Sequence, residues 1–274
     1  MSEALRVWRR PRLKNPSLVV GWSGDRGQLS GEIIDCLVGK LRARPFAEVE
    51  PPGFFPLGGV SVEGSVVQFP ESTFYAYSKS NLILFRSVPP SFEWFKFLNL
   101  VLDMGERFGQ VREVYTLGGM VSLTAHTLPR QLLGVFNSSQ LQQAVGGYDF
   151  ARPLDYETPP GQRPTLSSFL VWAAGQRRIP GASLWVPVPF YLFPVGDARA
   201  KRKLLDFLSW RFRLGLDLSD VDGEVRRWEV ALAEVRREVP DVDGWILRLE
   251  SRQMLSDEER QQLVEKVVSG LGER

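Results

Sequence analysis

The side chains able to do chemistry in this 274-residue chain are few, and they fall into short polar groups that follow apolar runs. Ser23, Asp25 and Arg26 follow Leu18 to Val20 in a segment that also carries Gly21, Gly24 and Gly27. Ser122 and His126 follow Gly118-Gly119, Thr165 and Ser167 open a later helical pattern, and Phe190 and Tyr191 follow the last strand-like run. With a single histidine and a single cysteine, Cys36, neither a histidine-built metal site nor a cysteine cluster can form within one chain. A G-x-S-x-G elbow, a Walker motif and a G-x-G-x-x-G fingerprint are all missing, since Gly21, Gly24 and Gly27 are spaced by three. What the residues could do is bind: amides and a helix N-terminus beside Gly21 could face a nucleoside or an anionic metabolite, with Arg26 offsetting Asp25. The plainer reading makes Ser23, Thr165 and Ser167 helix caps, Gly118 and Gly119 a tight turn, and His126 a partner for a loop. Neither reading calls for a catalytic residue, a metal or a cofactor.

The elements that must position these groups are legible as periodicities. Leu18 to Val20 reads as a buried strand, and Ile33, Ile34, Leu37, Val38 and Leu41 recur at helical spacing after the glycines. Phe46 to Val49 reads as a second strand, and residues 60–78 as a hairpin or meander of antiparallel strands, an insertion over about 54–78. Residues 81–87 form a buried strand, and Ser91 with Glu93 opens a helix whose stripe is Trp94, Phe97, Leu98, Val101 and Leu102. Val111 to Leu117 runs as a strand into Gly118-Gly119, and Leu132 to Phe136 supplies another. A short helix over 140–145 precedes a Gly- and Pro-rich loop, 146–164, before a helix, a strand and a second helix over 165–177, 182–188 and 198–214. If the strands are parallel, the polar groups meet at their carboxyl ends, the usual ligand crevice of such sheets. The alternation predicts a three-layer α/β/α domain with a mostly parallel, mixed sheet over 16–216, preceded by an arm, 1–15.

Composition sets the wider frame. At 43% hydrophobic and 11% aromatic the chain can fill a core, and a formal charge of +2 argues against a nucleic-acid face. No run is long enough to span a bilayer, and the lone cysteine fits a reducing compartment, so the expected location is the cytoplasm.

Beyond Gly215 the sequence turns charged and helical, a segment of 217–274. Val225, Trp228, Leu232, Val235 and Val239 advance by steps of three and four, a seam that needs a covering partner, either its own hairpin or another subunit. Asp-Val-Asp-Gly occurs at 220–223 and 241–244 and fits helix starts better than calcium loops. Ser256 and Glu259 form a capping box for a final helix.

Four stretches in this order carry a family likeness. They are PSLVVGWSGDRGQLSGEIIDCLVGKL, VPPSFEWFKFLNLVLDMGERFGQVREVYTLGGM, AHTLP, and PTLSSFLVWAAGQRRIPGASLWVPVPFYLFPVGDARAKRKLLDFL. Together they resemble the proteasome assembly chaperone family, type-two branch, in its bacterial and archaeal form. Two positions depart from the related bacterial pattern: Leu128 stands where arginine is usual and Phe190 where histidine is frequent. The resemblance implies a fold similar to purine nucleoside phosphorylases and related hydrolases, a C-terminal helical segment, oligomerisation and no established catalytic residues. Docking through a terminal hydrophobic-Tyr motif is not expected of a chain ending Gly-Leu-Gly-Glu-Arg. The expected function is that of a non-enzymatic, chaperone-like or scaffold protein that self-associates and holds protein partners; the alternative is a small-molecule binding protein or enzyme using the cleft at the strand carboxyl ends beside Gly21.

Overall fold

The computed structural model describes residues 4–23, 29–56, 61–63, 65–151 and 165–272. Among the described residues ten strands fall in chain order at β1 (Leu5–Val7), β2 (Ser17–Trp22), β3 (Arg44–Val49), β4 (Ser61–Glu63), β5 (Val66–Gln68), β6 (Ser72–Tyr77), β7 (Leu82–Ser87), β8 (Glu113–Ser122), β9 (Leu133–Phe136) and β10 (Gly181–Pro189). The helices are α1 (Leu29–Leu41), α2 (Trp94–Glu106), α3 (Ser139–Ala144), α4 (Leu166–Gln176), α5 (Ala198–Phe212), α6 (Ser219–Glu238), α7 (Pro240–Glu250) and α8 (Asp257–Gly272). Eight strands form one sheet in the order β1-β3-β6-β7-β2-β8-β10-β9. The four central strands, β7-β2-β8-β10, are parallel, and the flanking ones pair antiparallel.

Alternation along the central strands explains the two covered faces. Val19, Leu84, Tyr115, Leu117 and Leu184 meet α1 and α5, whereas Leu18, Val20, Trp22, Phe85 and Val114 meet α2 and α4. Because both faces are buried, these strands read as continuous apolar runs. The α2/α4 side is rich in rings: Phe97 lies 5.1 Å from Phe54 and 6.1 Å from Phe85, mostly in edge or tilted contacts that suit aromatic quadrupoles. The result is the expected α/β/α sandwich.

Three local readings differ. Gly118 and Gly119 lie inside β8, paired with Trp185 and Val186 of β10, and make no turn. A Cβ at Gly118 would come within 2.9 Å of the Trp185 ring, so the glycine makes room for a neighbour's indole. Ser91 does not cap α2; Glu93 takes the cap position with φ 52°, and no side chain closes that end. Only β4 and β5 stand apart as a two-stranded ribbon, because β6 is an interior strand of the main sheet between β3 and β7.

The C-terminal helices join the same core. Leu232 and Val235 of α6, Val242 and Ile246 of α7 and Leu263 and Val267 of α8 are buried in one cluster with α5. Ser256 and Glu259 make the capping box at the start of α8, with reciprocal bonds of 2.8 and 3.2 Å. Both Asp-Val-Asp-Gly repeats fall in the first turns of helices, α6 and α7, where acidic groups favour the positive helix end.

Candidate functional site

At the carboxyl end of β2 the polar atoms are largely used internally. Ser30 of α1 donates to the Trp22 carbonyl at 2.8 Å and accepts the Trp22 amide at 3.2 Å. The Trp22 indole N–H donates to Ser167 Oγ at 3.1 Å, which ties β2 to α4. Thr165 is the N-cap of α4, accepting the Ser168 amide at 3.1 Å. Ser23 donates its amide to the Ser87 carbonyl at 2.7 Å, while its buried hydroxyl has no hydrogen-bond partner among the described residues. Gly21 lies within β2; a Cβ there would meet Ile34 Cγ1 at 2.5 Å and the Ser30 carbonyl at 2.6 Å. Its role is to let α1 lie close on the strand. Asp25, Arg26, Gly24 and Gly27 lie outside the described residues.

Two of the remaining candidates are brought together. The Tyr191 hydroxyl accepts the His126 amide at 2.6 Å and lies within hydrogen-bond distance of His126 Nδ1, at 2.9 Å. Burial, with Arg236, Arg130 and Arg199 nearby, pushes the His126 pKa down to about 4. The ring is neutral near pH 7 and cannot deliver a proton there. Burial likewise drives the Tyr191 phenol well above its ordinary value. This pair is a buried hydrogen-bonded joint between the end of β10 and the segment after β8.

Neighbouring residues show what the joint holds. Arg199 of α5 donates to the His126 carbonyl at 3.0 Å and to Glu229 of α6 at 2.9 Å. Thr127 donates to Glu250 of α7 at 2.9 Å, and Arg236 of α6 reaches Glu250 at 3.2 Å and Asp243 at 2.7 Å. Beneath them Arg130 and Asp197 form a buried ion pair at 2.7 Å, while the other Asp197 oxygen caps α5 at Ala200 N–H, 3.1 Å. The His126-Thr127 segment therefore anchors α5, α6 and α7 to the end of the sheet. Arg130, Asp197, Arg199 and Glu229 were not singled out by sequence; only Asp197, standing before an amphipathic helix, carried a readable capping signal.

The seam on α6 is occupied within the chain. Leu232 and Val235 are buried, Trp228 and Val239 pack against the same cluster, and Val225 is half-buried. A Cβ at Gly270 of α8 would lie 2.7 Å from Val235, so α8 crosses α6 at this point. Of the two covers left open by the spacing, the structure supplies the chain's own helices.

A different surface is left open. Phe95 of α2 is 56% exposed and Trp172 of α4 48% exposed. Phe169 and Trp172 stack at 5.2 Å and 9°, and Phe95 lies 6.3 Å from each. Phe92, just before α2, is 54% exposed. Sequence did hold a signal, since Phe95 falls off the Trp94-Phe97-Leu98-Val101 stripe and α4 is apolar on all sides, more than one buried face requires.

Comparison with known proteins agrees with this architecture. Pyrococcus furiosus PbaB, described as an archaeal proteasome activator, superposes with a TM-score of 0.69 at 22% identity over 85% of this chain and 98% of its own. A Mycobacterium tuberculosis protein of unknown function gives 0.77 at 20% over 92% and 91%, and a proteasome-assembly chaperone homologue from the same organism 0.68 at 20% over 84% and 99%. A search of the curated proteins finds no match. The sequence pattern of the PAC2 family matches residues 18–236, and the chain belongs to that family.

Proposed function

We propose that this chain is a non-enzymatic, chaperone-like protein of the cytoplasm that works by holding protein partners, first among them a second copy of itself. The observation that carries the reading is the open aromatic face of Phe95, Phe169 and Trp172. Two half-exposed rings, Phe95 and Trp172, bridged by the half-buried Phe169 on two packed helices, are costly to leave in water and mark an interaction surface. A flat stacked patch can also meet its own copy around a two-fold axis. Membership of the PAC2 family and likeness to a proteasome activator and a proteasome-assembly chaperone homologue support a client related to the proteasome. Among the described residues no helix is long and apolar enough to cross a membrane. Light scattering on the purified chain at rising concentration tests the first half: the expected result is a molar mass above that of one 31.0 kDa chain, and a monomer at every concentration would remove it.

A further inference from the structure

At the amino ends of the parallel strands, opposite the His126 joint, lies a groove of about 870 Å³. Three separate segments bring cations to it: Arg9 and Arg10 after β1, Lys40, Arg42 and Arg44 from the end of α1 into β3, and Lys79 between β6 and β7. One carboxylate, Asp217, stands on its lining and accepts the Ser219 amide at 2.9 Å. Lys40 pairs with Asp220 at 2.6 Å, but Arg9, Arg10, Arg42, Arg44 and Lys79 form no ion pair among the described residues. Some arginines elsewhere are matched, as in Arg130–Asp197, Arg177–Asp103 and Arg202–Asp222, and others, such as Arg107 and Arg112, form no ion pair among the described residues; the groove differs in gathering five such cations in one hollow. The near-neutral total of +2 thus conceals a local excess of positive charge.

We infer that this groove binds an acidic peptide segment of a protein partner, an inference that rests on reading the chain as a protein-binding module. Unpaired guanidinium groups in one hollow favour carboxylates, which they can grip bidentately. The helices that end here, α1 and α5, present their carbonyl ends, which disfavour an anion seated directly against them and leave the unpaired side-chain cations as the anchoring points. Charge spread over several walls instead suits carboxylates spread along an extended chain, at roughly 3.3–3.6 Å per residue. The half-buried Leu41, Leu214 and Leu216 give the groove an apolar lining against which methylene stems can lie. Its aromatic residues are the buried Phe46 and half-buried Tyr77, a poor platform for stacking bases, so a single-stranded nucleic acid is the less suited occupant.

The test is fluorescence polarisation on the full chain with a labelled hexamer of glutamate, a labelled hexamer of glutamine and a labelled oligothymidylate. The glutamate probe is expected to bind, more weakly as salt rises, and the glutamine probe not to bind. Arg42→Gln with Arg44→Gln, and separately Arg9→Gln with Arg10→Gln, should each weaken the glutamate probe about tenfold or more. Arg107→Gln with Arg112→Gln, outside the groove and equal in charge change, should leave it within about twofold. No binding of the glutamate probe, equal binding by the groove variants, or tighter groove-dependent binding of oligothymidylate would each overturn the inference. Removing the aromatic face leaves this readout intact, so failure of the groove and failure of the self-association reading are told apart.

Discussion

His126 and Tyr191 hold each other at two points, the tyrosine hydroxyl accepting the histidine amide at 2.6 Å and lying 2.9 Å from Nδ1 of the same residue. Their rings meet edge to face at 5.9 Å and 89°. An unfolded histidine takes up its proton near pH 6.5, whereas the folded one resists until about pH 4. Between those values the unfolded chain binds more protons, so stability should fall as pH drops through this window, by roughly 3 kcal/mol at most. His126→Asn, whose amide oxygen can take the place of Nδ1, should flatten this part of the curve. Urea unfolding at a series of pH values reads it, and an unchanged slope in the variant would refute the assignment.

Gly21→Ala should destabilise the domain by about 1–3 kcal/mol, because the added methyl has a side chain on one side and a carbonyl on the other and neither can step back. Thermal unfolding checks it. A neutral outcome would mean that α1 does not rest on β2 as described.

Arg130→Met leaves Asp197 buried without its cation. The expected loss is about 3–5 kcal/mol, read by urea unfolding, since a buried carboxylate without a partner keeps its desolvation cost. A loss below about 1 kcal/mol would show that the pair is open to water.

Leu263→Ala, in the last helix, should cost about 2–5 kcal/mol and leave a single unfolding transition, because α8 shares a core with α5 and α6. Two separated transitions in calorimetry would show that the C-terminal helices fold by themselves.

Much of this architecture was legible because local periodicity and burial coincide. The buried run of β2, the Thr165 cap and the Ser256-Glu259 box are decided by neighbours in sequence. Gly21 and Gly118 were legible as glycines but not in their purpose, since turn formation and close packing give the same letter and only the facing Ile34 and Trp185 distinguish them. The Arg199–Glu229 bridge and the Phe95–Trp172 face depend on helix placement across the sheet, which no local spacing encodes. The basic groove was hidden for the same reason, since Arg9, Arg10 and Lys79 must meet the Lys40–Arg44 stretch from distant parts of the chain before its full charge gathers.

Self-association through the open aromatic face is read by Phe95→Ser combined with Trp172→Ser, compared with the unaltered chain by size-exclusion light scattering. Both side chains are about half exposed, so the fold should survive, as circular dichroism will show. A multiple of 31.0 kDa is expected for the unaltered chain, with a shift to the single-chain mass in the variant. An oligomer that persists unchanged in the folded variant would contradict it.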